Sequence, residues 1–364
     1  MLRKFSLGFV SWLLLEATHA AVSPTPAATV SPKPATPSPS PTASALIDSL
    51  QPADLQQVIS LLKDNFINPA ALNEMEMNRA TLQGLMIRLG HGVVLLPNSA
   101  AAQMETGRPF FSELLGGHIG YLRLAALTVG NLQAMDGALK AFANQKADAL
   151  IVDLRASPAT NDFATAAEFA KRFAPKSKTL FILHKPNAKQ DRVFSSDRDP
   201  SYQGLMMVLT DASTAGAAEL LAAVLRLYQK AMIIGQSTAG SAVEYSDLPL
   251  PSGKVLRVAV SEVVLPETKP LFPAGITPDL PVEMAEKDKS EIFQQSLTKG
   301  MSRFVFENER PHLNEAALLA GTNPELDAIE AAQQGRAPAK ETLHDAVAQR
   351  AVDLVTSLAI YQKR

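Results

Sequence analysis

The side chains that could perform nucleophilic or acid–base chemistry are few in this sequence, and their types exclude several kinds of site. The 364-residue chain contains six histidines and no cysteine. Without cysteine there is no thiolate nucleophile, no thiolate metal site and no disulfide. The histidines show neither the HExxH pattern nor a paired spacing that indicates a metal. We therefore predict no metal site and no cofactor.

Two hydroxyl side chains lie where a strand passes into a helix. Ser213 and Thr214 follow the apolar segment 205–210 and precede a helical segment. A hydroxyl becomes a nucleophile only when a neighbouring base removes its proton. His118 and His184 adjoin other strands and are the bases that such a site could use, although we expect both to be exposed loop histidines. For the two hydroxyls we expect capping, in which they accept backbone N–H bonds at the start of the helix.

Charged side chains adjoin the same strand ends. Asp153 and Arg155 lie at the end of the apolar segment 149–154. They are expected either to form a structural ion pair or to line a pocket, and the sequence leaves both open. Glu219 lies in the helix that follows the two hydroxyls. We expect its side chain to face solvent or the pocket.

The elements that would position these groups alternate between strand and helix. Apolar segments at 149–154, 179–183, 205–210 and 231–235 are separated by helical or polar stretches. The near-continuous apolar run of the first is typical of a strand that is covered on both faces. This order predicts an α/β core over residues 118–284. Helical regions flank it at 46–117 and 285–364; for the second we expect packing on the core, with a dimer surface as the alternative.

The segment 205–253 resembles the active-site region of the tail-specific, or C-terminal processing, serine peptidases. Its loop and hairpin GQSTAGSAVEYSDLPLPSG matches that family without a gap, and HIGYLRL and GITPD resemble a core strand and a later turn of it. Members of the family use a serine–lysine dyad. The resemblance implies a crotonase/ClpP-like spiral core of ββα units. It also implies protein or peptide partners, including extended C-terminal segments.

The resemblance places other residues at the positions that perform the family's chemistry. The nucleophilic serine lies three residues before a glutamate in the family, and here that position holds Gly216. The lysine position holds Ser241, and the glutamine position four residues later holds Tyr245. In the oxyanion loop, DLRASPAT carries Ala159 and Thr160 where the family has two glycines.

These replacements remove the family mechanism. Gly216 has no side chain with which to attack, and the Ser241 hydroxyl cannot act as a lysine-like base near neutral pH. The interval between Gly90 and Gly117 is also too short for the PDZ domain that captures substrate C-termini in the family. We therefore predict a catalytically degenerate member that acts by binding or scaffolding peptides or proteins.

Two alternatives stay open. One is a working hydrolase whose nucleophile has moved to Ser213, Thr214 or Ser241, with His118 or His184 as the base. The other is a structural protein of the cell envelope, in which the fold serves as an oligomerising block. The first predicts turnover that is lost on alanine substitution, and the second predicts a stable oligomer.

The amino-terminal residues predict export. Arg3 and Lys4 precede the apolar stretch 5–15, and small residues follow, as in a secretory signal peptide over residues 1–20. An uncleaved anchor is the alternative. Residues 21–45 are rich in Pro, Ser, Thr and Ala and predict a disordered linker. The protein is thus expected to be periplasmic or secreted, with no membrane span after signal cleavage. The net charge of −2 offers no electrostatic basis for binding nucleic acid, and a homo-oligomer remains open.

Overall fold

The computed structural model describes residues 43–97, 108–186, 188–266, 270–305 and 343–362. The predicted signal peptide and nearly all of the predicted linker lie outside these residues. The chain divides into two compact units, Met1–Glu76 and Met77–Arg364. Among the described residues, no helix combines the length and apolar character needed to cross a membrane.

The first unit contains short helices. Helix α1 spans Ala43–Asp48 and helix α2 spans Pro52–Asn65, followed by a 3₁₀ turn at Pro69–Leu72. Helix α3, Glu74–Leu89, begins at the end of this unit. The helices predicted around these residues are thus present. None of the residues of α2 is buried, although its apolar side chains recur at helical spacing.

The second unit contains the remaining elements. Its strands are β1 Val93–Leu96, β2 Phe111–Leu115, β3 Ile119–Arg123, β4 Ala149–Asp153, β5 Thr179–His184, β6 Arg192–Ser195, β7 Leu205–Thr210, β8 Met232–Gly235, β9 Val243–Pro249, β10 Val255–Val264 and β11 Leu280–Pro281. Its further helices are α4 Val129–Asn144, α5 Phe163–Ala170, α6 Ala217–Gln229, α7 Glu286–Lys299, α8 Ser302–Val305 and α9 Ala346–Gln362.

The strands form two sheets. The larger sheet has the order β11-β8-β7-β4-β3-β2, in which β2 pairs antiparallel and the other pairs are parallel. In the smaller sheet β10 pairs antiparallel with β1, β5 and β9, and β6 pairs with β5. Parallel strands connected through helices confirm the predicted α/β class. The prediction of a helical region over 46–117 missed β1 and β2, which are short and pair with strands far along the chain.

The larger sheet is buried on both faces. Alternate residues of its parallel strands point to opposite sides. One face packs against α4, α5 and α6 through side chains such as Met135, Phe163 and Leu220. The other packs against α7 and α9 through Phe293 and Ala351. The expectation that the C-terminal helices pack on the core is confirmed for these two helices; residues 306–342 of the same predicted region lie outside the described residues.

Candidate functional site

The carboxyl ends of β4 and β7 bring together the two loops that the family resemblance singled out. The loop after β4 carries Thr160, and the loop after β7 ends at Gly216, the N-cap of α6; these two residues form an isolated parallel bridge. Gly216 has φ 57° and ψ −117°. A residue with a side chain is strained in that conformation. This kind of sharp strand-to-helix turn is the geometry on which nucleophilic serines are held in other hydrolases.

The space for a side chain at this turn is filled by the neighbouring loop. A Cβ atom built on Gly216 would lie 2.3 Å from the carbonyl oxygen of Thr160 and 3.1 Å from Oδ1 of Asn161. Real Cβ atoms do not approach a backbone oxygen so closely. A serine at this position would therefore require the Thr160 peptide to move. In this backbone arrangement the structure has no room for a side chain at position 216.

The same carbonyl binds the first backbone donor of the helix. The N–H of Ala217 donates to the Thr160 oxygen at 2.7 Å. An N–H at the start of a helix, next to the nucleophile, is the kind of donor that stabilises a developing oxyanion. Here the protein's own backbone already occupies that donor. An incoming carbonyl group can reach it only if the Thr160 peptide turns away.

Glu219 forms hydrogen bonds with the loop that carries Ser241. Its side chain accepts hydrogen bonds from the hydroxyl of Thr238, from the N–H of Gly240 at 2.8 Å and from the N–H of Ser241 at 2.9 Å. Thr238 also accepts from the N–H of Ile276 at 2.8 Å. Glu219 is 0% exposed, so the expectation that it faces solvent or the pocket was wrong. It instead fixes the loop that carries the former lysine position.

Tyr245, at the family's glutamine position, lies beside an open cavity. The Tyr245 hydroxyl donates to the carbonyl oxygen of His91 at 2.9 Å, and burial raises the pKa of this phenol above its ordinary value. Tyr245 and Asn161 line a cavity of about 370 Å³ together with Lys185. Tyr245 thus forms part of the wall of the cleft and leaves space beside it.

Ser213 and Thr214 do not cap α6. The helix begins three residues after Thr214, with Gly216 as an N-cap that lacks a side-chain hydrogen bond. Both hydroxyls instead bond within the turn after β7: Ser213 Oγ donates to Asp211 Oδ1 at 2.6 Å, and Thr214 Oγ1 accepts from the N–H of Asp211 at 3.1 Å. The capping prediction failed because the chain makes this extra turn before the helix starts.

A buried lysine that the sequence reasoning missed joins this turn. Lys289 of α7 is 4% exposed, and its Nζ lies 2.5 Å from Asp211, 2.6 Å from Glu286 and 3.5 Å from Ser213 Oγ. These residues line a cavity of about 290 Å³ that also includes Arg155. A serine hydroxyl near a lysine invites comparison with a dyad, but this ammonium is paired with two carboxylates, and a base must be a free amine. The 78 residues between Lys289 and Asp211 left no local pattern by which to find the pair.

The structure brings neither candidate histidine to the hydroxyls. His118 precedes β3, at the amino edge of the parallel strands, whereas Ser213 follows the carboxyl end of β7. Five residues of strand separate the two edges by roughly 16 Å. His184 ends β5 in the other sheet, and its Nδ1 bonds to Asp191 at 3.0 Å. Its side chain is 44% exposed, as expected, but the residue belongs to a strand and not to a loop.

Asp153 and Arg155 form a buried ion-pair network. Arg155 lies 2.7 Å from Asp153 and 2.8 Å from Asp345, and Tyr121 donates to Asp153 at 2.7 Å. Burial by itself would raise the pKa of Asp153, but the charge of Arg155 and the hydrogen bonds from Arg155 and Tyr121 outweigh it and hold that pKa below its ordinary value. Arg155 also lines the 290 Å³ cavity. The structural ion pair is therefore present, whereas neither residue lines the cavity beside Tyr245.

Metal ligands are not assembled in the part of the chain that the structure describes. No group of three or more His, Cys, Asp or Glu side chains there could hold a metal ion.

Comparisons with known proteins agree with this architecture. The profile of the family described as "Peptidase family S41" matches residues 118–282. The "Carboxyl-terminal-processing protease" of Synechocystis sp. is 27% identical over 192 residues, which cover 53% of this chain and 43% of that protein. The "Tail-specific protease" of Haemophilus influenzae is 26% identical over 155 residues, covering 41% and 21%. The predicted relationship to the C-terminal processing peptidases is thereby confirmed.

Among solved structures, the photosystem II D1 C-terminal processing protease superposes with a TM-score of 0.43. Its sequence identity is 21%, and the superposition covers 59% of this chain and 52% of that one. The chain matches less than half the length of the two curated relatives named above.

Proposed function

Since residues 118–282 belong to peptidase family S41, we propose that this protein is an exported, non-catalytic member of the family that binds extended protein segments in its cleft. One observation carries the proposal. The Thr160 carbonyl oxygen lies where a side chain at Gly216 would begin, and it accepts the Ala217 N–H at 2.7 Å. The nucleophile position and the first helix donor are thus both blocked by the backbone.

Support for binding comes from the space that stays open. The cavity beside Asn161 and Tyr245 has about 370 Å³, within the range of roughly 300–1,000 Å³ that is usual for ligand pockets. It lies beside the antiparallel sheet of β9 and β10, and sheet edges bind extended segments through main-chain hydrogen bonds. Export is supported by the basic and apolar amino-terminal residues.

The test measures binding and cleavage on the same protein. The chain from Ala21 onward is incubated with a fluorescent unfolded protein and with C-terminal peptides; binding is followed by anisotropy and products by mass spectrometry. We expect saturable binding and no products above those of a heat-inactivated control. Products that disappear in a Ser213→Ala variant would overturn the proposal.

Restoring the chemistry in two stages sharpens the experiment. The triple variant Gly216→Ser, Ser241→Lys, Tyr245→Gln is expected to stay inactive, because the Thr160 carbonyl still occupies the site. Adding Ala159→Gly and Thr160→Gly frees this peptide to turn. A single oxyanion donor is worth about 10²–10³ in kcat, so a gain of that order over the triple variant is expected.

A second candidate is a hydrolase that uses Ser213. The 3.5 Å distance from its Oγ to Lys289 Nζ, beside a 290 Å³ cavity, is the observation in its favour. It requires Lys289 to leave its carboxylate partners. The cleavage assay above, repeated with Lys289→Met, separates this candidate from the first, because only the hydrolase loses products.

A further inference from the structure

One edge of strand β10 is interrupted. Strand β9 pairs with β10 along one edge, from Val255 to Glu262, with an irregularity between Ala259 and Ser261 at which Val260 has no β9 partner. Val258 pairs with both β9 and β1, and Glu262 pairs with both β9 and β5. Strands β1 and β5 therefore both lie on the other edge, end to end. On this second edge, between β1 and β5, the residues Ala259, Val260 and Ser261 have no described strand as a neighbour. We call these three residues the β10 notch.

Open space adjoins the notch. A cavity of about 430 Å³ is lined by the three notch residues together with Val243, Phe272 and Pro186, among others. An edge without a neighbouring strand presents backbone N–H and C=O groups for pairing. Ser261 adds a side-chain donor and acceptor. This residue is 5% exposed, and its hydroxyl makes no hydrogen bond to the described residues.

The cavity at the notch lies next to the cavity of the former catalytic cleft. The 430 Å³ cavity and the 370 Å³ cavity beside Tyr245 share Lys185 and Val260 in their linings. The second cavity reaches Asn161, whose Oδ1 lies 3.1 Å from the Cβ position of Gly216. A segment bound in the cleft would therefore lie close to the notch.

The residues that line the notch indicate which kind of ligand fits it. Three residues of strand span roughly 10 Å, so the notch accommodates three residues of an extended backbone. The side chains around it are mostly apolar, and its two charged neighbours, Lys185 and Glu262, have opposite signs. The site thus offers no net charge to an acidic or a basic ligand. It suits small or apolar side chains on a backbone that can donate and accept hydrogen bonds.

We propose that the β10 notch is a peptide-binding subsite, in which three residues of an extended apolar segment from another protein insert as a strand between β1 and β5 and pair with Ala259–Ser261. The inference rests on the proposed binding function and locates it at a specific strand. Insertion completes the edge of β10 and gives the Ser261 hydroxyl a main-chain partner. Strand addition of this kind obtains affinity from backbone hydrogen bonds and specificity from the pockets beside them.

Because the chain contains no cysteine, one introduced cysteine can be labelled selectively. A Lys185→Cys variant of the full mature protein carries one environment-sensitive fluorophore beside the notch. A Leu248→Cys variant carries it on β9, where the side chain is 48% exposed, as the matched control. The probe is N-acetyl-Ala-Val-Ala-amide, which has the three residues that the notch accommodates, and its partner probe is the same peptide with both alanine nitrogens methylated. These two N–H groups point to the same edge of an extended strand. Methylation removes two backbone donors and leaves the side chains unchanged.

We expect a saturable signal from the label at 185 and none from the label at 248. Each lost hydrogen bond is worth about 0.5–1.5 kcal/mol, so the loss of two should weaken binding of the methylated peptide roughly 5- to 150-fold. Ser261→Ala should weaken the unmethylated peptide severalfold, with an unchanged thermal melt as the folding control. Equal affinity for the two peptides would overturn strand insertion. This comparison uses the same labelled protein for both peptides, so it does not depend on the folding of a further variant.

The remaining outcomes separate this inference from the proposed function. If a fluorescent copy of the peptide binds by anisotropy but the label at 185 does not respond, the notch assignment is wrong and the binding function stands. If no peptide binds at all, both are wrong. If the signal at 185 rises with protein concentration alone, a second copy of the chain fills the notch, and the peptide assignment is overturned.

Discussion

At the scale of single residues, the replacements around the cleft fit one another. Gly216 allows the close approach of the Thr160 carbonyl, because any side chain at 216 would collide with it. The carbonyl in turn satisfies the N–H of Ala217, which would otherwise lack a partner at the start of α6. Gly216 and the loop that carries Ala159 and Thr160 thus form one self-consistent backbone arrangement.

Glu219→Ala is expected to destabilise the protein by about 2–4 kcal/mol. The buried carboxylate accepts from the N–H groups of Gly240 and Ser241, and each donor left unpaired in the interior costs about 1–3 kcal/mol. Urea unfolding followed by circular dichroism measures the change. Glu219→Gln keeps an acceptor and should cost less. Glu291→Ala on the exposed side of α7 is the control, and an equal effect of both alanine variants would contradict this role for Glu219.

At the scale of elements, the C-terminal helices hold the cleft loops through buried ion pairs. Asp345 accepts from the N–H of Ala348 in α9, and its carboxylate also pairs with Arg155 in the loop after β4. Lys289 of α7 pairs with Asp211 in the loop after β7. Each helix is therefore connected to one of the two loops that close around Gly216. A rearrangement that moved these loops would either break the two ion pairs or move the helices together with the loops.

Arg155→Met should cost about 3–5 kcal/mol at pH 7, because Asp153 and Asp345 would remain buried without a cation. The pKa of Asp153 is lowered in the folded protein. Its contribution to stability is therefore present above the unfolded value, about 3.9, and is lost as the pH falls below it. Without Arg155 the carboxylates relieve their charge by protonation, so the difference between the two proteins should narrow from pH 7 towards pH 4.

Urea unfolding of both proteins at several pH values measures this narrowing. Arg257→Met is the control, since Arg257 pairs with Asp247 on the surface, with side chains 32% and 49% exposed. Such a pair is worth about 0–1 kcal/mol. A difference that stayed constant with pH would show that the lost packing of Arg155, rather than its charge, is responsible.

At the scale of the whole molecule, the site and both hydrophobic clusters belong to the second unit. The unit Met77–Arg364 contains both sheets and all the residues that line the cleft. Helix α2 of the first unit contributes no buried residue. Oligomerisation stays a prediction, for which light scattering on the mature protein is the measurement.

A chain that begins at Asn73 is expected to fold with a single cooperative transition. Asn73 accepts the N–H of Glu76 through its side chain at 3.0 Å, so the start of α3 keeps its local cap. We expect the melting temperature to stay within about 5 °C of that of the mature chain, a shift that corresponds to roughly 1–2 kcal/mol for a domain of this size. Thermal unfolding by circular dichroism measures it, and a broad or absent transition would contradict the expectation.

The sequence alone predicted the α/β class, which the structure confirms, and the residues at the family's dyad positions, which stay a prediction. Both depend on local information: apolar runs such as 149–154 predict buried strands, and the motif around Gly216 and Ser241 is contiguous in the chain. It did not reveal β1 and β2, because strands of four and five residues carry little signal of their own and are stabilised by distant partners.

Only the tertiary structure decided what occupies the site. The Thr160–Ala217 hydrogen bond, the Lys289–Asp211 ion pair and the Asp345–Arg155 pair join residues that lie 57, 78 and 190 positions apart. The buried position of Glu219 follows from the same packing. Side-chain types in a sequence state which chemistry is available, but backbone direction and burial depend on contacts between distant segments. For this reason the sequence predicted that Gly216 and Ser241 stand at the family's dyad positions, whereas the contact of the Thr160 carbonyl with Gly216 and Ala217 was visible only in the tertiary structure.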